Sequence, residues 1–246
     1  MDQQKSRKIV VLEAHDDLYY YWHDHPVSNI ELVHIDPHCD LHGALIHTGE
    51  NYMVHTLKDH VHEGNFLTYA VKEGIIKSIK WVFDAYGNRL YDDTTVKFDT
   101  DFSSRLPVTK AKLNNLPQYP LSYDRIAYEN WEGFTPKEHL SLDWDFFAFE
   151  EKDEDNIEQE CKIFLQREWK NIPDMTYICY SHDYVHASCV LFCDFVKKLS
   201  EQFDAEVEYY RPQKPNWPGH HSSVITKIGG RFKTKTKLWL QRKGIH

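Results

Sequence analysis

The 246-residue sequence predicts an α/β protein with three layers, in which helices cover both faces of a mainly parallel sheet. Two observations predict this fold. Short apolar runs of strand character alternate with longer helical segments over most of the chain. Several of these runs end in clusters of polar side chains, and α/β proteins present their functional residues at the carboxyl ends of parallel strands.

Strands and helices alternate in the first third of the chain. The order is a buried strand over 8–13, a short helix over 16–23, a strand over 30–35, a helix over 65–74 and a strand over 79–83. Gly74 is a helix stop signal at the end of the second helix.

Residues 84–135 break the alternation. Turn signals such as Gly87-Asn88 and short β-rich pieces over 96–98 and 125–128 predict an antiparallel, β-rich insertion packed on the sheet. Its acids and aromatics either line a groove for an extended chain or belong to a solvated insertion. They are Asp84, Asp92, Asp93, Asp99, Asp101, Tyr86, Tyr91, Phe98, Tyr119, Tyr123 and Trp131.

The alternation resumes after the insertion. The sequence predicts a strand over 139–142, an acidic helix over 153–170, a strand over 176–180, a helix over 186–203 and a strand over 205–210. The length favours one domain over 1–246, because no linker is visible.

The charge of the chain restricts its partners. The net charge is −9, with 38 acidic and 29 basic residues. Seven of the basic residues lie in the segment 227–246, which holds no acid, so the rest carries 22 basic residues against 38 acidic ones. This acidic body argues against nucleic acid or an anionic membrane as the main partner and favours a cationic substrate or a metal.

The five cysteines form no CxxC motif, and the first residues are polar rather than a signal peptide. No apolar stretch approaches the roughly 20 residues that cross a bilayer. We therefore expect a reduced, cytoplasmic protein, and the sequence leaves its oligomeric state open.

Two polar motifs follow predicted strands. The first is Asp36-Pro37-His38-Cys39-Asp40, and the second is Asp143-Trp144-Asp145. In extended chain, alternate side chains share a face, so these aspartates and His38 are expected to converge while Cys39 points into the core. Buried carboxylates in such number need a compensating cation, which predicts a metal site.

A further candidate ligand is His15, in the segment Glu13-Ala14-His15-Asp16. It follows the first strand, at a strand-to-helix turn. One histidine among 16 is weak evidence alone, but its order relative to the two aspartate motifs favours a ligand.

These motifs resemble the metal-binding signature of the arginase and histone-deacetylase superfamily. His15, Asp36-x-His38-x-Asp40 and Ser141-Leu142-Asp143-Trp144-Asp145 match its ureohydrolase branch in order and spacing, and the finer likeness is to the arginase-like family that includes peptide arginases. The resemblance covers roughly residues 8–212 and implies an arginase/deacetylase-like fold. Peptide arginases convert arginine residues of ribosomally made precursor peptides to ornithine.

The resemblance also implies a ligand set for two Mn²⁺ ions. One ion would be held by His15, Asp36, Asp40 and Asp143, and the other by His38, Asp36, Asp143 and Asp145. Oxygen-rich ligation suits Mn²⁺ better than Zn²⁺. Hydroxide bridging the two ions would attack the guanidinium carbon of arginine and release urea.

Other roles follow the same resemblance. A carboxylate must hold the substrate guanidinium, and Glu208 is the first choice, with Glu206 second. His182 and Asp183 follow another predicted strand and are candidates for substrate contact. For proton delivery the loop after the first motif offers His42, His47 and His55, of which His55 is preferred, and Asp40 would assist.

The segment Leu41-His42-Gly43-Ala44-Leu45-Ile46 lacks the polar grip on a free amino acid that arginases carry, which favours arginine within a peptide as the substrate. Three alternatives remain: a small-molecule ureohydrolase, a deacetylase-like amide hydrolase with one Zn²⁺ on Asp36, His38 and Asp143, and a non-catalytic metal-binding domain.

Overall fold

The computed structural model describes residues 7–41, 61–84, 122–148, 152–181, 185 and 189–212. All of them belong to one compact unit, Met1–Pro212. The basic segment 227–246 lies outside the described residues, so the single domain over 1–246 stays a prediction.

Seven strands and five helices are present in these residues. The strands are β1 (Arg7–Leu12), β2 (Ile30–Ile35), β3 (Ile76–Phe83), β4 (Ser122–Ala127), β5 (Glu138–Asp143), β6 (Met175–Cys179) and β7 (Ala205–Tyr209). The helices are α1 (Asp17–Asp24), α2 (Phe66–Lys72), α3 (Asp145–Ala148), α4 (Glu154–Leu165) and α5 (Cys189–Phe203), and a 3₁₀ turn covers Tyr128–Asn130.

The strands form one sheet in the order β4-β3-β2-β5-β6-β1-β7, and every pairing is parallel. The predicted three-layer α/β fold with a parallel sheet is confirmed. All seven strands point the same way, so the loops after β1, β2, β5 and β6 leave the sheet at one edge.

β4 corrects the prediction of an antiparallel insertion at its described end. Ser122–Ala127 pairs in parallel with β3, from Ser78 opposite Ser122 to Phe83 opposite Ala127, and extends the main sheet at its edge. Glycine and aspartate turn signals suggested hairpins, but the chain between β3 and β4 is long enough for the crossover that parallel pairing requires. Residues 85–121 of the predicted insertion lie outside the described residues.

Apolar side chains cover both faces of the sheet. On one face, Leu18 and Trp22 of α1 and Phe66 of α2 pack into a core with alternate strand residues such as Val10 and Leu32. A second core holds aromatic rings of the segments after β5, with Trp144, Phe147, Phe164 and Phe195 in mutual contact.

Among the helices of the described segments, none combines the length and the apolar character that a membrane span requires.

Candidate metal centre

The six predicted metal ligands lie at the ends of three strands, β1, β2 and β5, at the carboxyl edge of the sheet. His15 lies in the turn between β1 and α1, as the sequence predicts. Asp36, His38 and Asp40 follow β2, and Asp143 ends the neighbouring strand β5. Asp145 begins α3. The structure brings these six side chains together.

The local backbone differs from the extended chain that the sequence suggested. β2 ends at Ile35, and 36–38 form a bend. Asp40 adopts a left-handed conformation with φ 51°. The side chains of the first motif therefore converge through a turning loop rather than through strand alternation. Cys39 is buried in the core, as predicted.

His15 is the centre of the first group of ligand atoms. Its Nδ1 lies 3.0 Å from one carboxylate oxygen of each of Asp36, Asp40 and Asp143. All four residues are buried. One imidazole nitrogen carries at most one hydrogen, so it cannot donate to three carboxylates. Nδ1 of His15 and Oδ2 of Asp36 make no hydrogen bond of good geometry among the described residues.

These separations fit ligands of a common cation. Around a six-coordinate ion with bonds of about 2.1 Å, neighbouring ligand atoms lie about 3 Å apart. Three 3.0 Å separations around one histidine nitrogen match this spacing. The donor set of one nitrogen and three carboxylate oxygens suits a hard divalent ion.

A second group lies beside the first and shares Asp36. Nδ1 of His38 is 3.3 Å from Oδ1 of Asp36 and 3.3 Å from Oδ2 of Asp145. Oδ1 of Asp145 is buried without a hydrogen-bond partner in the described residues. Asp36 thus offers one oxygen to each group. Asp36, His38 and Asp145 could hold a metal ion; the two aspartates are buried and His38 is partly exposed.

Serine hydroxyls and an indole orient the ligands from behind. Oγ of Ser141 lies 2.9 Å from Nε2 of His15 and can accept its hydrogen, which leaves the lone pair on Nδ1. Ser181 donates to Oδ2 of Asp143 at 2.7 Å. Trp81 donates from Nε1 to the backbone oxygen of Asp36 at 2.8 Å. Such contacts fix ligand orientation in metal sites.

The electrostatics of the cluster show an excess of buried negative charge. Burial and the charge of Asp36 raise the pKa of Asp40 to about 7. Burial, reinforced by Asp143 and Asp36, raises the pKa of Asp145 well above its usual range. A bound cation would lower the pKa values of these carboxylates and keep them ionised.

The two histidines respond to the same charge. Burial lowers the pKa of His38, but hydrogen bonds to Asp145 and Asp36 outweigh it and raise that pKa to about 12. Burial also opposes protonation of His15, yet its aspartate neighbours raise its pKa well above the usual value. Without a metal ion, the raised pKa values favour protons that offset the buried negative charge of the cluster. A bound metal ion would offset the same charge.

His34 is a member of the cluster that the sequence analysis missed. It is fully buried, and its Nε2 lies 3.6 Å from Oδ2 of Asp36 and 3.8 Å from Oδ2 of Asp40. Burial lowers its pKa to about 3, so the ring is neutral. A histidine two residues before Asp36, among the buried residues of a central strand, was the signal that could have revealed it.

Glu206 and Glu208 are not among the residues that the structure brings together. Both lie on β7, which β1 and β6 separate from β5. Glu208 lies opposite Val10, within the strand, and its carboxylate pairs with Lys8 at 2.9 Å. Glu206 is exposed. This placement argues against either residue as the guanidinium partner.

Other predicted site residues lie outside the described residues. They are His55, His182 and Asp183, together with His42 and His47. Trp131, which the sequence offered for a substrate groove, is 2 % exposed and packs against Phe134 and Trp169. It belongs to the core and not to an open groove.

Comparison of the sequence with protein-family models finds no matching family, and comparison with curated proteins finds no significant match.

Proposed function

We propose that the protein is a metal-dependent amidinohydrolase that converts arginine residues of a peptide to ornithine and urea with two Mn²⁺ ions. The observation that carries the proposal is the pair of ligand groups around His15 and His38, which share Asp36. A shared carboxylate between two groups of ligands is typical of two-metal hydrolytic sites.

The ligand set supports two ions better than one. A deacetylase-like site would bind a single Zn²⁺ through Asp36, His38 and Asp143. It would not use His15, Asp40 or Asp145 as ligands. Each of these three makes close contacts within the cluster. The charges of four carboxylates balance those of two divalent ions, whereas one ion would leave a buried negative excess.

The reaction is the addition of water to a guanidinium. Water adds to the guanidinium carbon, the bond from that carbon to the side-chain nitrogen breaks, and the products are urea and the ammonium form of ornithine, with no net release of a proton. When bound, two Mn²⁺ ions would lower the pKa of a coordinated water toward neutrality. Ser141 and Ser181 hold His15 and Asp143 in place for this chemistry.

The candidates for substrate contact are chosen by their place after β6, where the sequence departs from the glycine-rich turn of the superfamily. The candidate for proton delivery follows the sequence resemblance. Asp183 replaces Glu208 as the first candidate for the guanidinium, since it follows Ser181 closely in the chain and Ser181 contacts Asp143. His182 stays a candidate for substrate contact, and His55 for proton delivery to the leaving amine.

A peptide is the proposed substrate for two reasons. The segment 41–46 after Asp40 has little of the polar character that would grip a free amino acid. The chain is also acidic, with a net charge of −9, which would speed the encounter with a cationic peptide. Turnover of such a peptide should therefore slow as salt is raised, because exposed charges are screened.

Mass spectrometry tests this function. An arginine-containing peptide and free arginine are each incubated with Mn²⁺-loaded protein and with protein treated with EDTA. We expect the peptide to lose the elements of cyanamide at arginine, faster than free arginine, and only with metal. Faster turnover of free arginine would instead assign a small-molecule ureohydrolase, and loss of acetyl groups from acetyl-lysine peptides would assign the deacetylase-like alternative.

A further inference from the structure

His34 is buried in the centre of the sheet, where a polar side chain is unfavourable unless it is hydrogen-bonded. It lies on β2 opposite Trp81 of β3 and Ser141 of β5. Its ring is in contact with the rings of His15, at 5.2 Å between centroids, and Phe66, at 6.5 Å. Burying an imidazole among apolar strands is unfavourable unless its nitrogens are used.

The hydrogen on His34 can be placed from its partner. Nε2 lies 3.2 Å from the backbone oxygen of His38, an atom that can only accept. Nε2 therefore carries a hydrogen whether or not the ring is charged. A protonated ring nitrogen cannot bind a metal ion, because it has no lone pair.

Nδ1 of His34 is the other ring nitrogen, and it is buried with no hydrogen-bond partner in the described part of the chain. The atom that lies near Oδ2 of Asp36 and Oδ2 of Asp40 is the protonated Nε2, at 3.6 and 3.8 Å. These separations exceed the about 3 Å expected between neighbouring ligands of one ion. Although His34 can be grouped with His15 and Asp36 as a ligand by proximity, its hydrogen bond argues for another role.

We propose that His34 is a positioning residue that holds the loop of residues 36–40 in its metal-binding shape through the hydrogen bond from Nε2 to the backbone oxygen of His38. This loop supplies three of the six ligands. It also contains Asp40 in a left-handed conformation, with φ 51°, which a non-glycine residue adopts only when its surroundings hold it there.

Two side chains of the sheet donate hydrogen bonds to backbone oxygens of the loop, and the backbone nitrogen of Asp36 also donates to the oxygen of Val82 at 3.1 Å. Trp81 donates to the oxygen of Asp36 from the neighbouring strand, and His34 donates to the oxygen of His38 from the strand that leads into the loop. Without the second contact, His38 and Asp40 lose the support that aims them at the cluster. The inference rests on the metal centre of the proposed function, but not on its reaction.

Three variants distinguish the effect of the hydrogen bond on Mn²⁺ binding from the effect of the imidazole ring. In His34→Gln the amide nitrogen can reach the position of Nε2, in His34→Asn it reaches only that of Nδ1, and His34→Phe keeps a ring without a donor. Binding is measured by titrating Mn²⁺ and following the paramagnetic resonance signal of the free ion. We expect affinity to fall about 10- to 100-fold in His34→Asn and His34→Phe and to be largely retained in His34→Gln.

His139→Phe is the matched control. His139 lies on β5 and contacts the hydroxyl of Tyr177 at 3.2 Å, away from the loop, so its loss should leave the affinity unchanged. Circular dichroism checks that each variant folds, and the two amide variants are comparable even if His34→Phe does not fold.

Two results overturn the inference alone: equal affinity of wild type and His34→Asn, or an equal loss in His34→Gln and His34→Asn. Wild-type protein that binds no Mn²⁺ would overturn both the inference and the proposed function.

Discussion

At the scale of single residues, the site depends on Asp36 and Asp143, whose carboxylates meet several neighbours at once. Oδ2 of Asp143 lies 3.0 Å from Nδ1 of His15 and accepts a hydrogen bond from Ser181. Oδ1 of the same carboxylate accepts from the backbone nitrogen of Asp145 at 3.2 Å. Removal of this side chain should therefore disturb the whole cluster.

Asp143→Ala is expected to abolish both Mn²⁺ binding and urea release. The change removes a ligand and leaves the charges of the remaining buried groups unbalanced. Metal content by mass spectrometry and urea release should both fall to background. Asp174→Ala is the control, since Asp174 has an exposed side chain. Full activity of Asp143→Ala would contradict the assignment of the site.

Ser141→Ala tests the orientation of His15. The hydroxyl is fully buried and lies 2.9 Å from Nε2 of His15, so its loss leaves that nitrogen without its partner. We expect Mn²⁺ affinity to fall about 10- to 100-fold. Ser200→Ala, which removes an exposed hydroxyl on α5, should change nothing. Equal affinities in the two variants would show that Ser141 does not orient the ligand.

Glu208→Gln tests whether Glu208 is the guanidinium partner. Glu208 pairs with Lys8 in a partly exposed contact, so the change should cost at most about 1 kcal/mol of stability. Turnover of an arginine peptide is expected to stay within about twofold of wild type, because a charge-assisted contact to the substrate would be worth far more. A large loss with unchanged metal content would restore Glu208 as the guanidinium partner.

At the scale of elements, strands and most helices could be predicted because apolar periodicity reports burial directly. The conformation of residues 36–40 could not be predicted, because Trp81 and His34 of the sheet donate hydrogen bonds to the backbone of this loop. The direction of β4 could not be predicted from the sequence either, because tertiary structure decides which strand it pairs with and in which direction. The predicted helix over 153–170 ends early, at Leu165, and Arg167 packs against the rings of Trp131 and Trp169.

Strand β3 contacts the loop of residues 36–40 through Trp81. Its ring is fully buried, and its Nε1 donates to the backbone oxygen of Asp36. Trp81→Phe keeps an aromatic ring but leaves this oxygen unpaired, so the free energy of unfolding should fall by about 1 to 3 kcal/mol. Chemical denaturation of metal-free protein measures this loss, and Mn²⁺ titration should show weaker binding. No change in either measurement would show that β3 does not hold the loop.

At the scale of the whole molecule, a parallel sheet makes six ligands from distant parts of the sequence meet at one edge. The sequence could name these residues, because the order and spacing of aspartate and histidine are visible in it. It could not place Glu208, because register decides whether a residue lies within a strand or beyond its end. In the structure Glu208 lies opposite Val10, and β7 continues to Tyr209.

The metal content of the protein tests the central claim most directly. The chain is purified without chelator and without added metal, freed of unbound ions and analysed for both Mn²⁺ and Zn²⁺. The account predicts about two Mn²⁺ per chain in the wild type and none in Asp143→Ala. About one Zn²⁺ per chain would favour the deacetylase-like alternative, and a wild-type protein without metal would contradict the account.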